Sequence, residues 1–509
     1  MSRRTSRRQF LKTTGAAASA ALLSNGVLRF LDGGTTALAA PVVRRNIKGM
    51  TASDPIIVAY KAGINAMKAL PSTDARNWTN WANIHGVSSG SGPQWKTCQH
   101  GHWWFLPWHR MYLLFFERII RKLSNTPSFT LPYWNYSDPL DATQAILPLM
   151  FRTPTTGNAL YVSQRVTIYN RLLNPAPLPP SVIETSTAMG KPNFTSAAGT
   201  SNNFASQTVA APSHFTSPHG ALEHGPHDLV HSTIGGWMGD PDLAARDPIF
   251  WLHHCNIDRL WNAWLAQGGG RSDPSNLTWC NQRFNFFDEN GAPVSMTVRQ
   301  VINAAAQLNY VYEGEPAIPT QTCPPQIQPL PVPLTGVVGT EAFSLSRKTI
   351  VDHAVSGTLT AGLTRVALPL PKTLNARAST MEAIAQPERS LVLRIEGITV
   401  DRSPDTAWEV YVGLPADAKP DPAGPYFVGA LPTFGALGHG APHPGGFTVA
   451  FEIGAAMAAA LEGNASNTNV TFVPVSTEVD GKRVSQTPKT NVHFTRLRVV
   501  EEPQEIQTQ

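Results

Sequence analysis

The run PWHRMYLLFFERIIRKL, Pro107 to Leu123, places Met111, Leu114, Phe115, Ile119 and Leu123 at helical spacing, so a helix is expected there. Proline suits a first helical turn, because the N–H it lacks would have no partner in the helix. A second helix is expected in RDPIFWLHHCNIDRLWNAWL, with Asp247 as N-cap and Pro248 as the first helical residue. Between the two, residues 155–220 are rich in Ser, Thr, Asn, Pro and Gly and read as loop. Beyond Ala317 the texture changes. AIPTQTCPPQIQPLPVPL is proline-rich and favours extended chain. After it come short alternating or β-branched runs: RSLVLRIEGITV, AWEVYVGL, GGFTVAFEI, NVTFVPV and VHFTRLRVV. Punctuated by turn residues, these predict an antiparallel β-sandwich. The expected fold is a mainly α domain with long loops over residues 40–315, a proline-rich linker at 316–334, and an all-β sandwich-like C-terminal domain at 335–509.

At 509 residues, 42% hydrophobic and 15% charged, the chain has material for two cores and is not a disordered polypeptide. Its formal charge of +5 is concentrated at one end. Arg3, Arg4, Arg7, Arg8, Lys12 and Arg29 face only Asp32 within residues 1–39, so the remainder is near neutral and no nucleic-acid partner is expected. SRRQFLK, Ser6 to Lys12, resembles a twin-arginine export signal, and Ala37 to Ala39 offer small residues for cleavage before Ala40. The following apolar stretch is short and weakly hydrophobic for a membrane span. Residues 1–39 are therefore expected to be a signal peptide for twin-arginine export, leaving a periplasmic or secreted protein with no membrane partner. Four cysteines, Cys98, Cys255, Cys280 and Cys323, are too few for a disulfide-built scaffold. Whether Cys280 pairs with Cys323 stays open at this level.

Of fifteen histidines, eleven lie between His85 and His254. HGHWWFLPWHR puts His100, His102 and His109 among large apolar residues, and WANIHG adds His85. EHGPHDLVH holds His227 and His231 at i, i+4, a spacing that brings two imidazoles to one face of a helix. WLHHCNIDRLW adds His253 and His254. Two groups, each able to give three neutral nitrogen donors, point to two metal sites. All-imidazole donors suit zinc, copper, iron or nickel, and donor type alone does not choose among these.

HGHWWFLPWHR and DPIFWLHHCNIDRLW resemble the two copper-binding signatures of the type-3 copper proteins: tyrosinases, catechol oxidases and hemocyanins. LPYWNYSDP, Leu131 to Pro139, is also similar to a family segment, and the likeness spans most of residues 45–315. It implies a four-helix bundle around a dicopper site and two copper ions per chain. In the family the second ligand of the first copper lies nine residues before the third, which assigns His85, His100 and His109. The second copper takes His227, His231 and His254, with His253 supporting from outside the coordination sphere and His102 a neighbour. Cys98, two before His100, matches a Cys-x-His pattern whose sulfur is joined to the histidine ring by a thioether; a free buried thiol is the alternative. Glu223 matches a water-holding glutamate and Asp228 an activity-controlling position, so the resemblance gives these two carboxylates the proton handling of phenol oxidation. Asn at the Asp228 position is the form associated with strong monophenolase activity.

The activity implied is polyphenol oxidase: oxidation of phenolic or catecholic small molecules to o-quinones by O2. Catechol oxidase activity is implied foremost, and monophenolase (tyrosinase) activity second. A hemocyanin-like O2-binding protein is the alternative. LVLRIEGITVDR and WEVYVGLP resemble the C-terminal domain of plant polyphenol oxidases, and LNYVYEGE, with Tyr310 and Tyr312, resembles the tyrosine motif before it. That likeness implies a shielding domain that keeps the enzyme latent until it is cleaved or displaced. It would place an aromatic residue of GPYFVGALPTFG in the pocket, with Phe427, Tyr426 and Phe434 the candidates in that order. A stabilising or oligomerising module is the other reading of this domain.

Overall fold

The computed structural model describes residues 40–197, 199–325, 348–369, 389–402, 405–437, 446–462, 468–479, 482–485 and 491–503. The expected leader, 1–39, and the linker residues 326–334 lie outside the described residues. From Pro41 onward the chain forms one compact unit with a helical part followed by a β part.

The helical part is organised by α1 (Pro55–Ala69), α2 (Trp78–His85), α3 (Phe105–Leu123), α4 (Leu229–Ile234) and α5 (Ile249–Ala266). Their starts follow local chemistry. Asp54 accepts the Ile56 N–H and Asn77 the Thr79 N–H, satisfying amides that a helix leaves open at its first turn. Asp247 accepts the Ile249 N–H at 3.0 Å, so it caps α5 as expected, and the regular helix opens one residue after Pro248. α1 crosses α3 at Gly63, where a Cβ would lie 2.8 Å from Ile120 Cδ1; only glycine admits that approach. Trp251 stacks on Phe116 with ring centroids 3.6 Å apart, which seats α5 on α3. The 155–220 segment is mostly irregular, with single helical turns at Thr167–Asn170, Pro180–Ile183 and Ser186–Met189.

Buried charges tie the two longest helices together. Asp258 on α5 accepts from Arg110 Nε on α3 at 2.5 Å and from the Tyr310 and Tyr312 hydroxyls, each at 2.6 Å. Arg44 reaches the same carboxylate at 3.5 Å and Glu117 of α3 at 3.0 Å. Arg44 ends strand β1 (Val42–Arg44), and a hairpin of β2 (Arg283–Phe287) and β3 (Pro293–Thr297) precedes β4 (Tyr310–Tyr312). β1 and β4 pair in parallel, so both ends of the helical part close on one carboxylate. Residues 316–325, read above as linker, are bound to this body. Cys323 is disulfide-bonded to Cys280, Gln321 Oε1 accepts the Asp273 N–H, and the Pro324 carbonyl accepts from Arg299. Proline content made that stretch look like free linker, but these long-range partners fix it.

Among the described residues the β part holds two four-stranded sheets. One runs β10–β7–β14–β5 and the other β6–β11–β8–β9. Their strands are β5 (Lys348–Leu359), β6 (Thr364–Leu368), β7 (Arg389–Val400), β8 (Trp408–Val412), β9 (Phe427–Leu431), β10 (Phe447–Glu452), β11 (Thr468–Pro474) and β14 (Val492–Pro503). β12 (Ser476–Val479) and β13 (Lys482–Ser485) form a separate hairpin. An alanine-rich helix, Gly454–Glu462, follows β10 without having been anticipated. All five residues of β8 are buried. One face meets the sandwich core, and on the other Glu409 accepts from Ser181 of the helical part at 3.1 Å. Further polar ties between the parts are Lys191 to Glu452 at 2.8 Å and the Arg394 guanidinium to the Gly199 carbonyl at 3.0 Å. Among the described residues no helix is long and apolar enough to cross a membrane.

Replacing Asp258 by alanine leaves the buried Arg110 guanidinium without a carboxylate and Arg44 with Glu117 alone. Chemical denaturation should show a loss of about 3–5 kcal/mol in unfolding free energy. A variant within 1 kcal/mol of the parent would mean the cluster does not hold the helices.

Candidate metal centre

Six histidines from separate places converge at the centre of the helical part. His85 ends α2, His109 sits near the start of α3, His231 is on α4 and His254 on α5. His100 comes from the segment before α3. His227 stands just before α4, after Gly225 has taken an extended conformation (φ −148°, ψ 127°). All six rings are buried.

The orientation of four of the rings follows from hydrogen bonds made by Nδ1. His85 Nδ1 is 2.9 Å from the Pro241 carbonyl, His109 Nδ1 2.8 Å from that of Phe105, and His231 Nδ1 2.7 Å from that of Met238. A carbonyl only accepts, so each Nδ1 carries the hydrogen and each Nε2 keeps its lone pair. His227 Nδ1 lies 2.8 Å from Asp228 Oδ1, which fixes its ring in the same sense. Among the described residues, Nε2 of His85, His100, His109 and His227 is buried without a hydrogen-bond partner, and His231 Nε2 lies 3.3 Å from His254 Nε2. Buried acceptors left unpaired are costly, and a soft-to-borderline cation is the partner this donor set fits. Ring nitrogens of His227, His231, His253 and His254 lie within 4.8 Å of one another, as do those of His85, His109 and His254. His109 and His254 stack at 4.4 Å, and His100 and His227 are 5.7 Å apart. The two trios therefore face each other in one cluster.

Electrostatics point the same way. Burial holds His85, His100, His227, His231 and His254 well below the usual imidazole range, and His109 falls to about 3. Neutral imidazole is the ligand form. Phe250 packs on His254 at 4.2 Å and on His85 at 5.0 Å, and Phe105 on His109 at 4.7 Å, which keeps water off the rings.

Around the cluster, Cys98 Sγ lies 3.2 Å from His100 Nδ1 and equally far from His214 Nδ1. Glu223 accepts the Gly101 N–H at 2.9 Å and the Ser206 hydroxyl at 2.6 Å; burial nevertheless raises its carboxyl to about 8. Both oxygens of Asp228 are engaged, Oδ1 by His227 and Oδ2 by His219 Nδ1 at 2.7 Å. His253 Nδ1 lies 3.0 Å from the Tyr136 hydroxyl, and its ring is 4.8 Å from that of His231. His102 is turned toward the Ser213 carbonyl, 2.8 Å away. Sequence reasoning gave no role to His214 or His219, which come from the loop-like 155–220 segment; only the gathering of eleven histidines between His85 and His254 marked them.

The β part reaches the cluster through the turn after β9. Phe434 stacks on His231 with centroids 4.1 Å apart and planes 19° from parallel, and it is 5.6 Å from His227 and 5.9 Å from His100. Ser232 Oγ accepts the Thr433 and Phe434 N–H groups at 3.1 and 3.0 Å. The order of aromatic candidates is thus corrected. Phe427 begins β9 and packs on Tyr411 at 5.5 Å, and Tyr426 precedes the strand, its carbonyl accepting the Val412 N–H. Strand pairing holds both away from the turn that approaches the histidines.

Comparison with known proteins agrees with this geometry. Over 336 residues the chain is 37% identical to the tyrosinase HcTyr1 of Hahella sp. (strain CCB-MM4), covering 59% of this chain and 68% of that one. The chain belongs to the tyrosinase family. The common central domain of tyrosinase matches residues 75–267, and the polyphenol oxidase middle domain 273–325. A domain of unknown function matches residues 349–486. Polyphenol oxidase A1 of Vicia faba is 35% identical over 300 residues, 52% of this chain and 46% of that protein, so the chain spans about half of this plant relative. In fold, this tyrosinase-family chain is similar to latent apple tyrosinase (TM-score 0.58, 23% identity, 92% of this chain and 99% of that one). It is equally similar to latent aurone synthase (TM-score 0.58, 22% identity, 94% and 92%).

Glu223 gives a pH test on metal-free protein. Its folded value lies above that of the free side chain, so the folded state holds the proton longer and stability falls as pH rises between the two values. Glu223→Gln should gain on the parent as pH climbs from 4.5 to about 8, followed by thermal unfolding. A constant difference between the two proteins would contradict the assignment.

Proposed function

We propose that this protein is a latent polyphenol oxidase that converts o-diphenols to o-quinones with O2 at two copper ions, one held by His85, His100 and His109 and the other by His227, His231 and His254. The observation that carries the reading is one buried cluster of neutral histidines, joined where His109 stacks on His254, with an aromatic ring laid on His231. Copper, once bound, supplies the redox chemistry: two o-diphenols give four electrons and four protons to one O2, leaving two o-quinones and two waters. The chain's share is orientation and exclusion of water. Carbonyls and Asp228 hold the rings, and Phe105 and Phe250 dry them. Glu223, buried beside the cluster with its carboxyl raised to about 8 by burial in the metal-free protein, is suited to hold and pass the phenol proton. With both Asp228 oxygens occupied by imidazoles, catechol oxidation is the main activity proposed and monophenol hydroxylation the lesser one.

Phe434 supports latency, because its ring lies flat on a ligand histidine where a substrate ring would stack. Ser232 holds its backbone there. Twin-arginine export of the folded protein is the proposed route for residues 1–39, after which the chain is periplasmic or secreted. Cys98 Sγ lies 3.2 Å from His100 Nδ1, within reach of the neighbouring ring carbon, which supports a thioether; the bond would form with loss of the S–H and a ring C–H hydrogen, two electrons and two protons passing to O2 and giving hydrogen peroxide.

Two measurements check this. Copper-loaded full-length protein should turn over catechol slowly. Phe434→Ala, or cleavage in the 326–334 segment, should raise the rate on the order of tenfold, the effect of removing an aromatic stack. Chelation should abolish activity, with copper and not zinc restoring it. No turnover in any copper-loaded form would sink the oxidase reading, and equal rates in intact and cleaved protein would sink latency. For the thioether, intact mass after copper loading and aeration should fall by two hydrogens, localised to the Cys98–His100 peptide. An unchanged mass with a free Cys98 thiol would exclude the bond.

A further inference from the structure

His219 has no place in the ligand set, yet it is buried at the end of a chain of contacts leading into that set. Its Nδ1 is 2.7 Å from Asp228 Oδ2, and the other oxygen of Asp228 is 2.8 Å from His227 Nδ1. Its Nε2 is 3.0 Å from the Thr216 carbonyl, which only accepts, so Nε2 carries the ring hydrogen and the proton between Nδ1 and Asp228 Oδ2 is shared by the imidazole and the carboxyl group. The ring is held between Phe215, at 5.2 Å, and Phe447 of β10, at 5.1 Å. Glu223 Oε1 stands 3.8 Å from Nδ1 and completes its polar surroundings.

We propose that His219 is a positioning residue for the second histidine trio, fixing Asp228 and through it the ring of His227. The inference rests on the dicopper reading of the site and names a further residue on which that site depends. A carboxylate anchored by one oxygen turns about its Cβ–Cγ bond. Anchored by both, it holds the imidazole hydrogen of His227 on a fixed line and so aims Nε2. Partners of this kind beyond a metal's ligands set ring orientation and ligand basicity. A carboxylate buried without partners on both oxygens is also costly, so loss of His219 would leave Asp228 to turn toward another donor. Phe447 is one wall of the His219 pocket, so the β part touches this chain at its outer end as well as touching His231 through Phe434.

The test uses the full-length chain, stripped of metal and titrated with copper against a competing chelator. Copper per chain and the cupric electron paramagnetic resonance signal are the readouts. His219→Phe keeps the ring between Phe215 and Phe447 but has no nitrogen, whereas His219→Asn puts an amide, able to donate or accept, close to where Nδ1 stands. We expect the parent to take two coppers per chain. His219→Phe should bind one of them about 10- to 100-fold more weakly, with the signal of an uncoupled cupric ion. His219→Asn should return affinity to within a few-fold of the parent. Two coppers at parental affinity in His219→Phe, or no recovery in His219→Asn, overturns the proposal. Metal-free thermal unfolding reports whether each variant is folded. Should the phenylalanine variant not fold, His219→Gln replaces it, since its longer amide meets Thr216 and not Asp228, and the same loss is expected. A parent that takes up no copper pair would instead defeat the dicopper reading itself, an outcome distinct from failure at His219.

Discussion

The structure depends on the carboxylate of Asp258. It receives two guanidinium groups and two phenol hydroxyls in a buried place, and those donors come from β1, α3 and β4. Arg110 directly follows His109, and Asp258 lies four residues after His254. The ion pair therefore sets how α3 and α5 stand to each other at the level where their histidines stack. A buried ion pair adds little net stability compared with apolar packing, but it admits few alternative arrangements. Fixed geometry matters more than stability where several side chains must converge on one point.

Burial does two jobs at the cluster. It penalises positive charge, which keeps the imidazoles neutral, and it shuts out water that would compete for Nε2. The price is a group of lone pairs pointed at each other in an apolar shell, an arrangement a bound cation relieves. Backbone carbonyls of Phe105, Met238 and Pro241 decide which nitrogen of each ring faces inward. The tautomers are thus set by the fold before any metal arrives.

The β part engages the same helix that carries His231. Ser232 donates to the Asp228 carbonyl at 2.8 Å and accepts two N–H groups from the Thr433–Phe434 turn. One hydroxyl thereby joins the kinked start of α4 to the aromatic residue covering the site. Gly435 lets this turn in: a Cβ there would stand 2.3 Å from the Phe215 ring, and its φ of +89° suits glycine. The segment that covers the histidines is shaped to them and not merely adjacent.

What was legible in the sequence was local. Apolar spacing marked α3 and α5, Asp247 marked a helix start, and alternating runs marked β7, β8, β10, β11 and β14, because side-chain period and capping act within a few residues. The histidine groups were legible as well, since spacing within each signature is short-range, and resemblance supplied their division into trios. Contacts between distant segments were not. Nothing near Phe434 shows that it, and not Phe427, reaches the cluster; that depends on where β9 stops pairing with β8. The binding of residues 316–325 depends on Cys280, more than forty positions back. His219 gains its meaning only when a loop folds against Asp228 and a strand from the other part closes over it. The sequence by itself determined which elements form and which side chains hold chemistry, because those follow from neighbours along the chain. Tertiary structure alone decided which of them meet, because that is set by packing and buried charge between residues hundreds of positions apart.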